Sequence, residues 1–138
     1  MKKLDLSEVA SEFEMIDDEY PIFYNRITGE FVRDFGPGFE DEDEEDEYED
    51  KFEGEEWIST PRQYDLNEYK IMTDFIKSET SGHERDLLAV SIQGKGAFRR
   101  FKDTLGILGL LEMWYTFKTA AYIEIAREWC DRHNLPYE

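Results

Sequence analysis

The chain reads as a single α+β domain spanning 1–138. It is expected to hold a small antiparallel sheet, a hairpin plus one short strand, packed against four or five helices, with a helical C-terminal half. Three observations predict this. Two short runs rich in aromatic and β-branched residues, 22–24 and 30–33, flank the polar, glycine-bearing connection Asn25-Arg-Ile-Thr-Gly29, the pattern of a β-hairpin. Beyond residue 62 the apolar residues recur instead at three- and four-residue spacing, the period of a helix with one buried face. The 138 residues, 40% of them hydrophobic, suffice for one core, which at this size hides roughly two-thirds of the unfolded chain's surface without a disulfide or metal staple.

Taken in order, Leu6, Val9, Ala10, Phe13 and Ile16 form one helical stripe, with Asp5 or Ser7 as N-cap. Pro21 bounds that helix, because the residue before a proline disfavours helical backbone. The hairpin follows, and Gly36-Pro-Gly38 stops its second strand. From 40 to 50 every residue except Tyr48 is Asp or Glu. Adjacent like charges repel and offer no apolar face, so an extended acidic flexible loop at about 37–56 is expected. An EF-hand loop needs glycine at its sixth position; counted from Asp41 that position is Asp46, and from Asp43 it is Tyr48. Only weak, nonspecific cation binding is therefore implied there.

Trp57, Ile58 and Thr60 ahead of Pro61 suit a third strand beside the hairpin. Asp65 is placed to cap a helix carrying Leu66, Tyr69, Met72, Phe75 and Ile76 on its core face, ended by Ser81-Gly82. The run with Leu87, Leu88, Val90 and Ile92 is too short for periodicity to separate helix from strand, and the charged residues before it favour helix. Gly94 and Gly96 break the chain around Lys95 and open a helix with Phe98, Phe101, Leu105 and Leu108 toward the core. The last helix carries Trp114, Phe117, Ala121, Ile125 and Trp129 on one stripe, broadened by Tyr122 and Ala126. Lys118 falls within the stripe, so either its stem packs while the amine escapes or the helix is interrupted there. Asn134, Leu135 and Pro136 end it.

A net charge of −18 argues against a general nucleic-acid binder, since phosphate binding needs a positive face somewhere. The charge is unevenly spread: residues 40–56 hold 13 acids and one lysine, leaving −6 on the rest. Lys95, Arg99, Arg100 and Lys102 put four positive charges into eight residues. They are the expected contact for an anionic partner, an acidic protein or a nucleic acid, in a non-enzymatic binding or regulatory role. The competing view is a solvated helix face. The acidic run, at up to about 3.3 Å per residue, is long enough to compete in cis for that patch. The acidic surface could instead mimic nucleic acid toward a basic partner.

For catalysis the available groups are Glu112 near Trp114 and Tyr115, and Glu124 with Glu128 one turn apart, as a small hydrolase or transferase would use them. On a solvated face the same residues pair with Arg127 or Arg132. His133 near a helix C-terminus reads as a dipole partner, and no nucleophile-plus-base pattern surrounds Ser59, Ser91 or Cys130. Gly94-Lys-Gly96 lacks the spacing of a P-loop and reads as a tight turn. Two histidines, of which His83 is the other, and one cysteine cannot build an ordinary zinc site; only oxygen-ligand metals remain open, as at the Glu124 and Glu128 pair, and no particular metal or cofactor is implied. There is no apolar run near the roughly 20 residues a membrane span needs, and Met1-Lys-Lys leads into Asp5 and Glu8 rather than a signal core. A cytoplasmic protein with no membrane partner is expected.

The run Gly94-Lys-Gly-Ala-Phe-Arg-Arg-Phe-Lys-Asp103, with Gly109-Leu-Leu-Glu112, Trp114-Tyr115, Phe117-Lys118 and residues 122–129, resembles the bacterial family designated 0158 in the UPF series of uncharacterised proteins. Ile27-Thr-Gly-Glu30 and the helix at 69–76 look like that family's N-terminal half, so the likeness covers most of the chain. It implies a bacterial cytoplasmic setting. It brings no established activity and no catalytic residue to carry over.

Overall fold

Strand β1 (Ile22–Asn25) lies between β2 (Glu30–Arg33) and β3 (Trp57–Ser59), antiparallel to both, in the computed structural model, which describes residues 3–17, 19–35 and 52–138. The acidic run 40–50 expected as a loop lies outside the described residues. The helices are α1 (Leu6–Glu14), the single turn α2 (Gln63–Leu66), α3 (Glu68–Glu79), α4 (Gly82–Ser91), α5 (Ala97–Leu108) and α6 (Leu111–Arg132). This is the expected α+β architecture with a small antiparallel sheet and a helical C-terminal half. Two compact units form, one from residues 1–66 with 122–138 and the other from 67–121.

In the first unit the hairpin register pairs Asn25 with Glu30, so the connection is 26–29. Asn25 closes it: its Oδ1 accepts from the amides of Ile27 (2.8 Å) and Thr28 (3.0 Å), a side-chain turn that Asn and Asp make most readily. Period-two alternation sends Tyr24 and its cross-strand partners Phe31 and Ile58 to one face. There Trp129 of α6 meets Tyr24 edge-on at 5.7 Å and Phe13 of α1 edge-on at 5.3 Å, geometries favoured by the ring quadrupoles. The indole N–H donates to the Ser59 carbonyl at 3.0 Å, so the largest side chain of the core leaves no polar atom unsatisfied. On the opposite face Phe23 stacks on Phe52 at 4.5 Å, and Phe52 meets Trp57 at 4.9 Å.

Helix α1 starts where Asp5 Oδ1 accepts from the Ser7 amide at 2.8 Å, which makes Asp5 the N-cap. Leu6, Val9, Ala10, Phe13 and Ile16 are all buried, as the spacing requires. Arg33 ties β2 to the end of α1, donating to the Met15 carbonyl and to Asp17 at 2.8 Å. The two ends of the chain pair as well. Leu4 donates to Pro136 and accepts from Glu138, both at 2.9 Å.

In the second unit, Phe75 of α3 meets Trp114 and Phe117 of α6 at 5.4 Å each and Phe101 of α5 at 6.2 Å, while Phe101 meets Trp114 at 4.9 Å. Met72, Leu88 and Leu105 complete this apolar core. α6 runs unbroken through Lys118: its stem is three-quarters buried and its amine meets Glu68 at 3.0 Å, so the first of the two alternatives at that position is the one adopted.

Three expectations need correction here. Asp65 does not cap the long helix; its carboxylate accepts from the amide of Arg62, the residue before α2, and the chain resets at Asn67, whose φ of +48° separates α2 from α3 and whose side chain caps α3 at the Lys70 amide. Asparagine tolerates left-handed backbone better than most residues. The reset moves Tyr69 out of the core face, leaving it 45% exposed, while Ile71 is buried. Phe98 is likewise 50% exposed, because Ala97, at the first position of α5, takes the inward place.

Candidate anion-binding face

The loop between α4 and α5 sets the site. Gly94 and Gly96 both have φ of +76°, left-handed backbone that costs a residue with a Cβ about 1 kcal/mol or more. Gly96 is doubly constrained, since a Cβ there would lie 3.1 Å from Nη1 of Arg100. The two turns bring the chain round so that α5 starts beside the carbonyl end of α4.

Arg100 fills that junction. Its Nε donates to the Ser91 carbonyl at 3.1 Å, Nη1 donates to the Lys95 carbonyl and Nη2 to that of Gln93. Carbonyls at a helix C-terminus have no intrahelical donor and carry the negative end of the dipole, so a guanidinium is well matched to them. Arg85 repeats the device one helix earlier, its Nε donating to the carbonyl of Thr80, the C-cap of α3, and its Nη2 to that of Lys77 in the last turn, both at 2.9 Å. The sequence groups Arg100 with the anion contacts. The structure directs three of its five N–H donors at backbone instead.

The other three cations of the cluster are exposed. Among the described residues neither Lys95 nor Arg99 has an ion-pair partner, and the Lys102 amine lies 5.9 Å from the centre of the Tyr115 ring, an attractive cation–π placement. Arg99 and Lys102 are one turn apart on α5, and Phe98 and Lys102 likewise, so these side chains share a face. The first turn of α5 carries no acid; Asp103, exposed, is the acid nearest in sequence.

Charge is divided along the chain in a way that a whole-chain total conceals. Residues 67–121, the second compact unit, hold eight lysines and arginines against seven aspartates and glutamates, a net +1 within a chain of −18. Lys70 is paired with Asp74 at 2.9 Å and Lys118 with Glu68, and Arg85 and Arg100 face carbonyls. Of the four cations that remain, Lys77 stands apart in the last turn of α3, and Lys95, Arg99 and Lys102 fall within eight residues.

The carboxylates considered for acid–base work are differently placed. Glu112 is exposed in the second unit, and Glu124 and Glu128 are exposed in the first. Glu124 accepts from Nη1 of Arg127, three residues on, which is the solvated pairing weighed against a catalytic role. His83 is exposed at the start of α4, and His133 packs against Trp129 with ring centres 5.5 Å apart. Burial, with Arg132 and Arg26 nearby, holds the His133 imidazole below its usual pKa. Cys130 is buried, and burial, reinforced by Asp131, pushes its thiol up to about 11.

Among the described residues no group of three or more His, Cys, Asp or Glu is placed to hold a metal ion, and no helix is long and apolar enough to cross a membrane. Comparison with models of protein families, with curated proteins and with solved structures finds no match to this chain.

Proposed function

We propose that the chain is a non-enzymatic binding module whose basic cluster at the start of α5, Lys95 in the preceding loop with Arg99 and Lys102 on the helix and Arg100 holding the loop, takes an anionic partner. The observation that carries this reading is the net +1 of residues 67–121 in a chain of −18, with the three exposed cations Lys95, Arg99 and Lys102 within eight residues. Unpaired cations at a surface repel one another and are retained at no gain in stability, whereas a partner's phosphates or carboxylates would neutralise them. The likeness to the 0158 family carries no activity, so the reading rests on charge and geometry.

Binding to heparin, followed as a function of salt, tests it. The intact chain should bind at low salt and release as salt rises, and Arg99→Glu with Lys102→Glu should abolish the interaction while leaving the thermal midpoint unchanged. Deleting residues 40–50 removes ten acids and should strengthen binding, because it lowers the repulsion felt by any polyanion. Unchanged retention of the double variant would remove the basic face from consideration.

A further inference from the structure

We propose that the anionic partner is single-stranded nucleic acid, its bases stacked on Phe98 and Tyr115 and its phosphates held by Lys95, Arg99 and Lys102. The inference rests on the basic-face reading and names its partner. Two rings that a folded protein gains nothing by exposing stand among the cations: Phe98 is 50% exposed and Tyr115 is 46% exposed. Phe98 precedes Arg99 in the chain and sits one helical turn from Lys102, whose amine lies 5.9 Å from the Tyr115 ring centre. Phe98, Arg99 and Lys102 therefore lie within about one turn of α5 and Lys102 lies against Tyr115 of α6, so these rings and cations are not segregated into an apolar patch and a charged one.

That combination discriminates between anions. An acidic peptide or heparin has carboxylates or sulfates but no flat π-face, and would use the cations alone. A duplex keeps its bases stacked inside and likewise offers only phosphates. A single strand presents charge and an unstacked ring at every nucleotide, and base–aromatic stacking adds to the phosphate contacts without requiring a particular sequence. Self-repulsion from a chain of −18 limits affinity, but the field falls off within roughly 10 Å at ordinary salt, and residues 67–121 are themselves not acidic.

The test is fluorescence anisotropy of the full chain with four labelled probes of about 12 nucleotides, a length within the span single-strand sites cover. They are oligothymidylate, oligouridylate, the same deoxyribose-phosphate backbone without bases, and a DNA duplex. The expected order has both base-bearing single strands at least about fivefold tighter than the abasic strand and the duplex. Phe98→Ala and Tyr115→Ala should each weaken the base-bearing strands about fivefold or more and leave the abasic strand unchanged, whereas Tyr115→Phe keeps the ring and should keep the affinity. Whichever of oligothymidylate and oligouridylate binds tighter identifies DNA or RNA as the source of the strand. Arg99→Ala should lower the slope of log affinity against log salt by about 0.7.

If the abasic strand binds as well as the others, or a polyglutamate peptide displaces them at equal charge, the partner is read by charge alone: the stacking inference is overturned and the basic-face reading stands. Binding to heparin without binding to either base-bearing strand overturns the inference in the same way. Failure of every polyanion, heparin included, overturns both.

Discussion

Arg100 donates its Nε–H to the carbonyl of Ser91 at 3.1 Å, across the turn that joins α4 to α5. The neighbouring Arg99 is exposed and has no partner among the described residues. Two adjacent arginines thus have opposite assignments. Arg100→Ala removes charge-assisted hydrogen bonds from three carbonyls and should destabilise the chain by about 1–2 kcal/mol, a value reduced from the buried case because the group is solvent-accessible. Arg99→Ala should leave stability unchanged and weaken polyanion binding. Urea denaturation of the two variants side by side checks this; equal midpoints would mean that the junction does not depend on Arg100.

Asn67 carries both a left-handed φ of +48° and the cap of α3. Glycine keeps the backbone freedom and loses only the side-chain acceptor, so Asn67→Gly should cost a few tenths of a kcal/mol. Alanine loses the cap and also resists the backbone, so Asn67→Ala should cost about 1–2 kcal/mol. Thermal unfolding of the pair distinguishes the two contributions, and a glycine variant as unstable as the alanine one would contradict the strain argument.

With its thiol raised to about 11 by burial and Asp131, Cys130 is protonated in all but about one molecule in a thousand at pH 8. Alkylation by iodoacetamide at that pH should be undetectable over minutes in the native chain and rapid in denaturant. Fast native labelling would show that α6 opens locally around Cys130.

His133 sits below its ordinary pKa of 6.5 because burial, then Arg132 and Arg26, disfavour the imidazolium. Above pH 6.5 the ring is neutral in both folded and unfolded chains, and its packing on Trp129 contributes in full. As pH falls below 6.5 the unfolded chain takes up the proton first, so stability is lost until the lower folded-state pKa is reached and then levels off. His133→Gln should remove this loss between pH 7 and 5. Denaturation midpoints at the two pH values measure it, and an unchanged pH dependence in the variant would assign the loss to other groups.

Much of the fold is legible in the order of the residues alone. The stripe of Leu6, Val9, Ala10, Phe13 and Ile16 is read directly from helical spacing, because nothing else in that segment could bury a continuous apolar face. The hairpin is equally local, since Asn25 and Gly29 make the turn that sets its register. The candidate site is legible only as a basic cluster. Spacing alone cannot say that Ala97 rather than Phe98 turns inward, that Asn67 displaces Asp65 as the cap, or that Arg100 leaves its neighbours to seal the end of α4.

The α+β class, the main apolar stripes, the glycine-bearing turn before α5 and the concentration of cations at 95–102 follow from residue order, because each depends on residues within a few positions of one another. Packing of the helices was needed to show that residues 67–121 form a unit of net +1, that Lys118 keeps its place by meeting Glu68, and that Phe98 and Tyr115 stand exposed near Arg99 and Lys102. Those outcomes depend on which helix faces compete for the same core, and on which charges find partners once the helices have packed.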